Sequence, residues 1–479
     1  MHAAMHYSVD MEALIPAAGA RIAGLLQVEA AMVTSGAAAA LALAAMACVA
    51  GTDPEKMQSL PDTAGFERNE CVVPAGSRTH YDHAVRLAGL VMVEVNSAPE
   101  LAAAMASPRV AMALVLADRF GVESSRSDRR DGTDAEREGQ EQLGLTEMAA
   151  ATAEAGVPLL VDAAADILVV PNPYIAAGAT LVAYSGGKVV KGPQGGGLLL
   201  GNDAGLIRAA IANGSPHHAA GRPLKVPKEV IVGMVTAVEQ WVEERDIGAE
   251  YEEWRGWYRE IAAVVEQVAG VSTSEGAPSA GGPFPTLQIE WDGGAVPITA
   301  QEVHDQLLAG SPPIQTHATG AGTDFPIRPA ALKPGQHRVV AERLREVLAA
   351  AAASHPAPAD DPAPAEASAD VSGSWEVRLR FSEGEASHRL ELRADGGQVT
   401  GRHHGTLTEG ELHGTVAGDT VELSSTLFVP STSIGLDYTF LGRLERRGEG
   451  RLQMGGELVL SQDDCEGATW AATRVASRL

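Results

Sequence analysis

The stretch "AYSGGKVVKGPQGGGLLLG" (residues 183–201) sets two lysines, Lys188 and Lys191, among glycines directly after an apolar run. Glycine lets a backbone approach a neighbour or a ligand closely. A lysine in such a place is either a solvated loop charge or an amine held at a reactive carbon. Its surroundings bear on the choice. Working outward, short apolar runs predict strands at 30–34, 90–95, 110–117, 157–163, 180–185 and 196–201, with helical patterns between them at 36–49, 146–155 and 203–212. Strands separated by helices imply right-handed crossovers and a mainly parallel sheet covered on both faces. The two lysines then lie in a turn between two strands of an α/β domain.

Beyond that domain, "KEVIVGMVTAVEQWVEERD" (228–246) and "EEWRGWYREIAAVVEQVA" (252–269) read as long amphipathic helices. A strand (286–291) and helices near 300–309 and 337–353 complete a smaller α/β domain. "SHPAPADDPAPAEASAD" (354–370) is rich in Pro, Ala and acid and has no packing face, which predicts a semi-extended linker. After it, short alternating runs between turn residues predict antiparallel β and a small barrel. "GSWEV", which opens this part, resembles the Gly-x-Trp start of lipocalin-like barrels. The expected boundaries are 1–245, 246–353, 354–371 and 372–479. The charged segment 124–142 predicts a solvated loop.

The chain of 479 residues carries a net charge of −26 with no basic stripe to offset it, which argues against a nucleic-acid partner. "AAAALALAAMACVA" (37–50) is short and alanine-rich, so a buried helix is expected rather than a membrane span. The N-terminus lacks the basic and apolar regions of a secretion signal. Three cysteines (Cys48, Cys71, Cys465) lie far apart without metal-type spacing, which suits a reducing cytoplasm and predicts neither a disulfide framework nor a metal site.

Four features carry chemistry. "VTSGAAAALALA" (33–44) places Ser35, Gly36 and Ala37 where a strand ends and a helix begins. Such a turn is either a serine cap on a core helix or an anion site with free N–H groups. Asp162 ends "VPLLVDA", at the strand edge where open α/β sheets bind ligands; capping the next helix is the competing role. Lys188 follows the next strand, and an amine near a phosphate site and a buried carboxylate can form a Schiff base with an aldehyde. "RTHYDHAVR" (78–86) supplies His80, Tyr81 and His83, from which a ring is a candidate to stack on a planar cofactor.

"SGGK…GPQGGG", "TSGAAA", "VDAAAD" and "GRPLKVPKE" (221–229) occur in order. Together they resemble the fold-type I pyridoxal-phosphate enzymes, and within them the branch of bacterial selenocysteine synthase and D-glucosaminate-6-phosphate ammonia-lyase, over residues 5 to 350. The resemblance implies pyridoxal 5'-phosphate held by Lys188, whose amine then moves protons at the substrate α-carbon. It implies that Asp162 pairs with the pyridinium nitrogen, and that Ser35, Gly36, Ala37 and Ser185 bind the phosphate. His83 is the expected ring-stacking residue, with His80 as the alternative. Gln194 and Gly195 line the phosphate end, Arg222 and Lys225 are candidate anion contacts, and Arg328 in "FPIRP" is the candidate for the substrate carboxylate. Lys191 is the rival for the Schiff base. A homodimer is also implied.

The expected reaction is β-elimination with ammonia release from a hydroxy-amino acid or amino-sugar acid, by a cytoplasmic lyase acting through an α-carbanion. Transamination and racemisation are the alternatives. A non-catalytic homologue, with the barrel as a ligand-binding or assembly module, is the third. Selenocysteine synthesis needs a bound tRNA, which the acidity disfavours. Relatives of this kind carry a longer N-terminal segment, so a reduced substrate entrance is expected, and they often have glutamine where this chain has Asp166.

Overall fold

The computed structural model describes residues 1–117, 143–276, 284–316, 322–328, 332–354, 369–382, 384–429, 434–447, 451–460 and 467–475. The charged segment 124–142 and nearly all of the expected linker lie outside these residues. The described chain forms two compact units, Met1–Ser77 with His83–Ala357 and Arg78–Asp82 with Pro358–Leu479.

The first unit begins with α1 (His2–Met5), α2 (Met11–Leu26), β1 (Ala30–Thr34), α3 (Ala37–Ala50), α4 (Pro54–Ser59), β2 (Glu70–Pro74), α5 (Asp82–Arg86), β3 (Val91–Val95), α6 (Ala98–Met105) and β4 (Val110–Leu116). Next come α7 (Leu145–Ala155), β5 (Leu159–Asp162), α8 (Pro173–Ala176), β6 (Leu181–Ser185), β7 (Gly197–Gly201) and α9 (Ala204–Asn213). The seven strands form one sheet in the order β1-β7-β6-β5-β4-β2-β3. Only β7 runs against its neighbours. Its central strands are buried on both faces, as their unbroken apolar runs require. The expected mainly parallel sheet is therefore present. It also contains β2, "ECVVP", which apolar periodicity alone does not mark as a strand: its four buried residues end with Pro74. Helix α3 is buried on nearly every side; its alanines let it lie close against β7 and α9.

The smaller part of this unit contains α10 (Lys228–Glu243), α11 (Ile247–Val265), β8 (Val271–Gly276), β9 (Thr286–Trp291), α12 (Ala300–Leu308), β10 (Asp324–Ile327) and α13 (Gln336–Ala353). One strand was expected from the sequence; the structure forms an antiparallel sheet in the order β10-β9-β8. Strand β8 alternates half-buried with exposed positions, so its apolar signal is faint. No described helix is long and apolar enough to cross a membrane.

The second unit contains β11 (Gly373–Phe381), β12 (Gly384–Asp395), β13 (Gln398–His404), β14 (Glu409–Ala417), β15 (Thr420–Val429), β16 (Ile434–Arg447), β17 (Arg451–Leu460) and β18 (Thr469–Arg474). Each strand pairs antiparallel with the next, and β18 returns to β11, which closes the expected barrel. Alternating residues point inward: Trp375, Leu390, Leu423, Phe440 and Trp470 are buried, and the Trp375 indole donates to Val371 O at 2.8 Å.

A polar chain crosses this interior. His388 Nδ1 lies 2.8 Å from His403 Nε2, and His403 Nδ1 lies 2.6 Å from Ser425 Oγ. Burial, then the neighbouring His388 and His404, lower the His403 pKa from 6.5 to about 3. Burial also lowers that of His388. Both imidazoles are thus neutral in the folded barrel near neutral pH. An unfolded chain takes up a proton near pH 6.5, whereas folded His403 refuses it until about 3. Barrel stability is therefore complete above about pH 6.5 and declines as pH falls towards 3. At pH 5 the His403 contribution costs about 2 kcal/mol. Hydrogen-exchange protection factors of barrel amides should drop between pH 7.5 and 5, and His403→Gln should flatten that drop.

Candidate active site

The site is built at one edge of the seven-stranded sheet. In register, Asp162 at the end of β5 lies beside Ala183 of β6, Ser185 of β6 lies beside Gly197 of β7, and Gly197 lies beside Thr34 of β1. The carboxyl ends of three parallel strands and the start of β7 thus form one row. This is the side on which open α/β sheets receive ligands.

The turn after β1 reaches the first turn of α3. Thr34 Oγ1 donates to Gly36 O at 2.8 Å, and Gly36 adopts φ +85°, a backbone region that favours glycine. No side chain caps α3, so its first-turn N–H groups and the positive end of its dipole are left for an anion. Ser35 Oγ donates to Leu224 O at 3.1 Å, which draws "GRPLK" (221–225) to this turn. Arg222 Nη1 lies 3.2 Å from Ser215 Oγ, and Lys225 is exposed.

The glycines of 186–197 now have a physical reason. A Cβ on Gly197 would sit 2.4 Å from Gly36 C and 2.8 Å from Ala37 N, so glycine is what allows β7 to pass against the anion turn. A Cβ on Gly186 or Gly196 would meet the Met234 sulfur of α10 at 2.3 and 2.6 Å. One on Gly187 would meet Gln194 at 2.6 Å. These contacts fold the loop back on itself. Gly192 N donates to Gly186 O at 2.7 Å, and Gly186 N to Gly196 O at 2.8 Å. Lys188 projects from the resulting turn as an exposed side chain, while Val189 and Val190 are buried.

Lys191 is directed elsewhere. It holds φ +55°, its Nζ lies 3.6 Å from Glu250 Oε1, and it sits 5.2 Å from the centroid of the Trp254 ring. Asp162 is 7% exposed, and its Oδ1 accepts the Ala164 N–H at 3.1 Å.

Beneath this edge a polar network holds the loop after β5. The Tyr174 hydroxyl donates to Asp166 Oδ2, Ile167 N donates to Asp166 Oδ1 at 2.7 Å, and Asn172 Nδ2 donates to the Tyr184 hydroxyl oxygen at 2.9 Å. Burial pushes the Tyr184 phenol well above its usual range, so it stays neutral. Asp166 thus has a structural partner on α8 in this chain.

The row brings together Ser35, Gly36, Ala37, Asp162, Ser185, Lys188, Gln194 and Gly195. Three expected residues are not tied to it by any contact described. His83 is exposed on α5 with Nδ1 3.3 Å from Arg86 Nη1; His80 lies in Arg78–Asp82, which groups with the second unit; Arg328 is exposed just after β10. Sequence reasoning passed over Met234 and Leu224, whose contacts come from elements distant in the chain.

No family model matches the chain. It is 32% identical over 354 residues to a 5'-C-glycyluridine monooxygenase-decarboxylase from Streptomyces sp, covering 72% of this chain and 83% of that protein. It is 24% identical over 351 residues to the D-glucosaminate-6-phosphate ammonia lyase of Salmonella typhimurium, covering 71% and 86%. A solved structure of a D-glucosaminate-6-phosphate ammonia-lyase superposes with a TM-score of 0.60 at 24% identity, over 73% of this chain and 90% of that one. The residues of the α/β part fit the cofactor of such enzymes: an uncapped helix start for a phosphate, a buried carboxylate, and a lysine on a nearby turn. The chain belongs to the fold-type I pyridoxal-phosphate enzymes, in the lyase branch that includes D-glucosaminate-6-phosphate ammonia lyase.

Proposed function

We propose that this chain is a lyase that uses Lys188 to hold pyridoxal phosphate and to move a proton at the α-carbon of an amino-acid substrate. The observation that carries this reading is the row of Asp162, Ser185 and the uncapped start of α3, with Lys188 on its rim and Lys191 engaged by Glu250 and Trp254. When bound, the cofactor supplies a ring that accepts electrons from the α-carbon. The rest is work for the protein. The N–H groups at the start of α3 and the Ser185 hydroxyl bind the phosphate. Asp162, buried at the end of β5, would hold the proton on the ring nitrogen. Lys188, once displaced from the cofactor by the substrate's own amine, would be free to take the α-proton and pass it to the departing group.

The finer reading is β-elimination with release of ammonia from a hydroxy-amino acid or an amino-sugar acid, as the name of the Salmonella relative suggests. A second reading rests on the Streptomyces relative, the more similar of the two: loss of carbon dioxide from a glycyl-bearing nucleoside with oxygen consumed. Both begin by breaking a bond to the same α-carbon. A homodimer is part of the proposal, and sedimentation tests it.

The deciding experiment is an absorbance spectrum of the purified protein before and after borohydride, with peptide mass mapping of the reduced adduct. A visible band that collapses on reduction, with the cofactor mass fixed on Lys188, supports the reading. An adduct on Lys191, or no band after added pyridoxal phosphate, overturns it. Ammonia, carbon dioxide and oxygen-uptake assays on amino-sugar acids and glycyl nucleosides then separate the two reactions.

A further inference from the structure

The turn that carries Lys188 is gripped from outside the sheet. Arg245, in the short link between α10 and α11, donates from Nη1 to the carbonyl of Val189 at 2.6 Å, one residue past the lysine. The same guanidinium forms two hydrogen bonds to Glu250 on α11, Nε to Oε1 at 3.0 Å and Nη2 to Oε2 at 2.7 Å. It lies 4.3 Å from the centroid of the Trp241 ring of α10, and its side chain is 11% exposed. Lys191, at the far end of the turn, reaches the same Glu250 at 3.6 Å and the Trp254 ring of α11. Both ends of "KVVK" (188–191) are therefore fastened to the segment where the smaller part of the unit begins.

We propose that Arg245 is a positioning residue for Lys188: it fixes the lysine-bearing turn through the Val189 carbonyl and couples that turn to the start of α11 through Glu250. The inference rests on Lys188 being the cofactor lysine. Its physical basis is the fork of the guanidinium. One planar group satisfies a backbone carbonyl and a carboxylate at once, in a partly dry site where neither contact is exchanged cheaply for water. A lysine at 245 would keep the charge but has a single point of attachment. Val189 and Val190 anchor the turn in the core, and Arg245 adds a polar hold on the carbonyl next to the lysine. An amine that must reach one carbon is sensitive to shifts of about 1 Å. A movement of α11 relative to the sheet would therefore be felt at Lys188.

The test uses the full chain loaded with pyridoxal phosphate and reads the pH midpoint of its visible absorbance band, which reports the environment of the Lys188 amine. Arg245→Met and Arg245→Lys are compared with Glu250→Gln, which leaves the Val189 contact in place. Both Arg245 variants should shift the midpoint by at least about half a pH unit and slow the reaction of the bound cofactor with hydroxylamine or an added amino acid by about tenfold. Glu250→Gln should shift it less than either. A midpoint and rate in Arg245→Met equal to those of the unsubstituted protein overturn the proposal. If Arg245→Met fails to fold, Arg245→Lys decides: unchanged values for a folded Arg245→Lys, with its charge kept and its fork lost, overturn the proposal equally. A borohydride adduct on a residue other than Lys188 in the unsubstituted protein overturns the cofactor-lysine reading itself, and this inference with it.

Discussion

Lys188→Ala is expected to abolish the visible absorbance band and to lower turnover by about a thousandfold or more, the scale of losing a positioned proton-transfer group. In the proposed mechanism two functions vanish together, the covalent tether and the amine that moves the α-proton. The cofactor itself should still bind, because the proposed phosphate contacts are the start of α3 and Ser185, not Lys188. Weakened but measurable binding of pyridoxal phosphate, without borohydride fixation, is therefore part of the expected outcome. Stability should hardly change, since the Lys188 side chain is exposed. Lys191→Ala is the matched control. It removes a partly exposed ion pair with Glu250 and a contact with Trp254, and should leave the band in place with a modest effect on turnover. A band that survives in Lys188→Ala and disappears in Lys191→Ala would reverse the assignment.

The contrast between these two lysines shows what a sequence can and cannot carry. Both stand in the same glycine-rich turn with similar neighbours, and local spacing gives only a preference. What separates them is Glu250 and Trp254, more than fifty residues away on an amphipathic helix whose own pattern says nothing of what it will meet. The central strands were legible because a strand buried on both faces must be apolar throughout. Strand β2 was not, because "CVV" looks like any short apolar stretch and Pro74, buried with it, reads as a breaker. The β18 strand, "TWAATR", was hidden for a related reason, since it has only two buried positions, Trp470 and Ala472, and the alanine offers little hydrophobic contrast with its neighbours. The glycines at 186, 187, 196 and 197 announced close approach, but not to what. Met234, Gln194 and Gly36 emerge only when the loop is folded. Asp166 stood out as a departure from the usual glutamine; its partner Tyr174 lies only eight residues on, yet the pairing depends on the path of the loop after β5.

Asp162→Asn should separate the two roles the sequence allowed for this residue. The carboxylate is 7% exposed at the end of β5, and its Oδ1 accepts the Ala164 N–H at 3.1 Å. Asparagine has nearly the same volume and keeps an oxygen able to accept that hydrogen bond. If Asp162 served only to cap the turn after β5, the variant would fold and work almost unchanged. If it holds the proton on the cofactor ring, the loss is large. A neutral amide cannot compensate a protonated ring nitrogen, and in a site sheltered from water that compensation is worth far more than at a surface. Turnover is then expected to fall by about a hundredfold to a thousandfold, the scale set by removing one fixed electrostatic partner from a reacting centre. Lys188 remains, so borohydride should still fix the cofactor on it, and the phosphate contacts should keep binding near its original strength. The combination of intact fixation with lost turnover is the signature of the electronic role. Equal turnover in Asp162→Asn and the unsubstituted protein would leave Asp162 as a cap and remove the ring-nitrogen partner from the proposed mechanism.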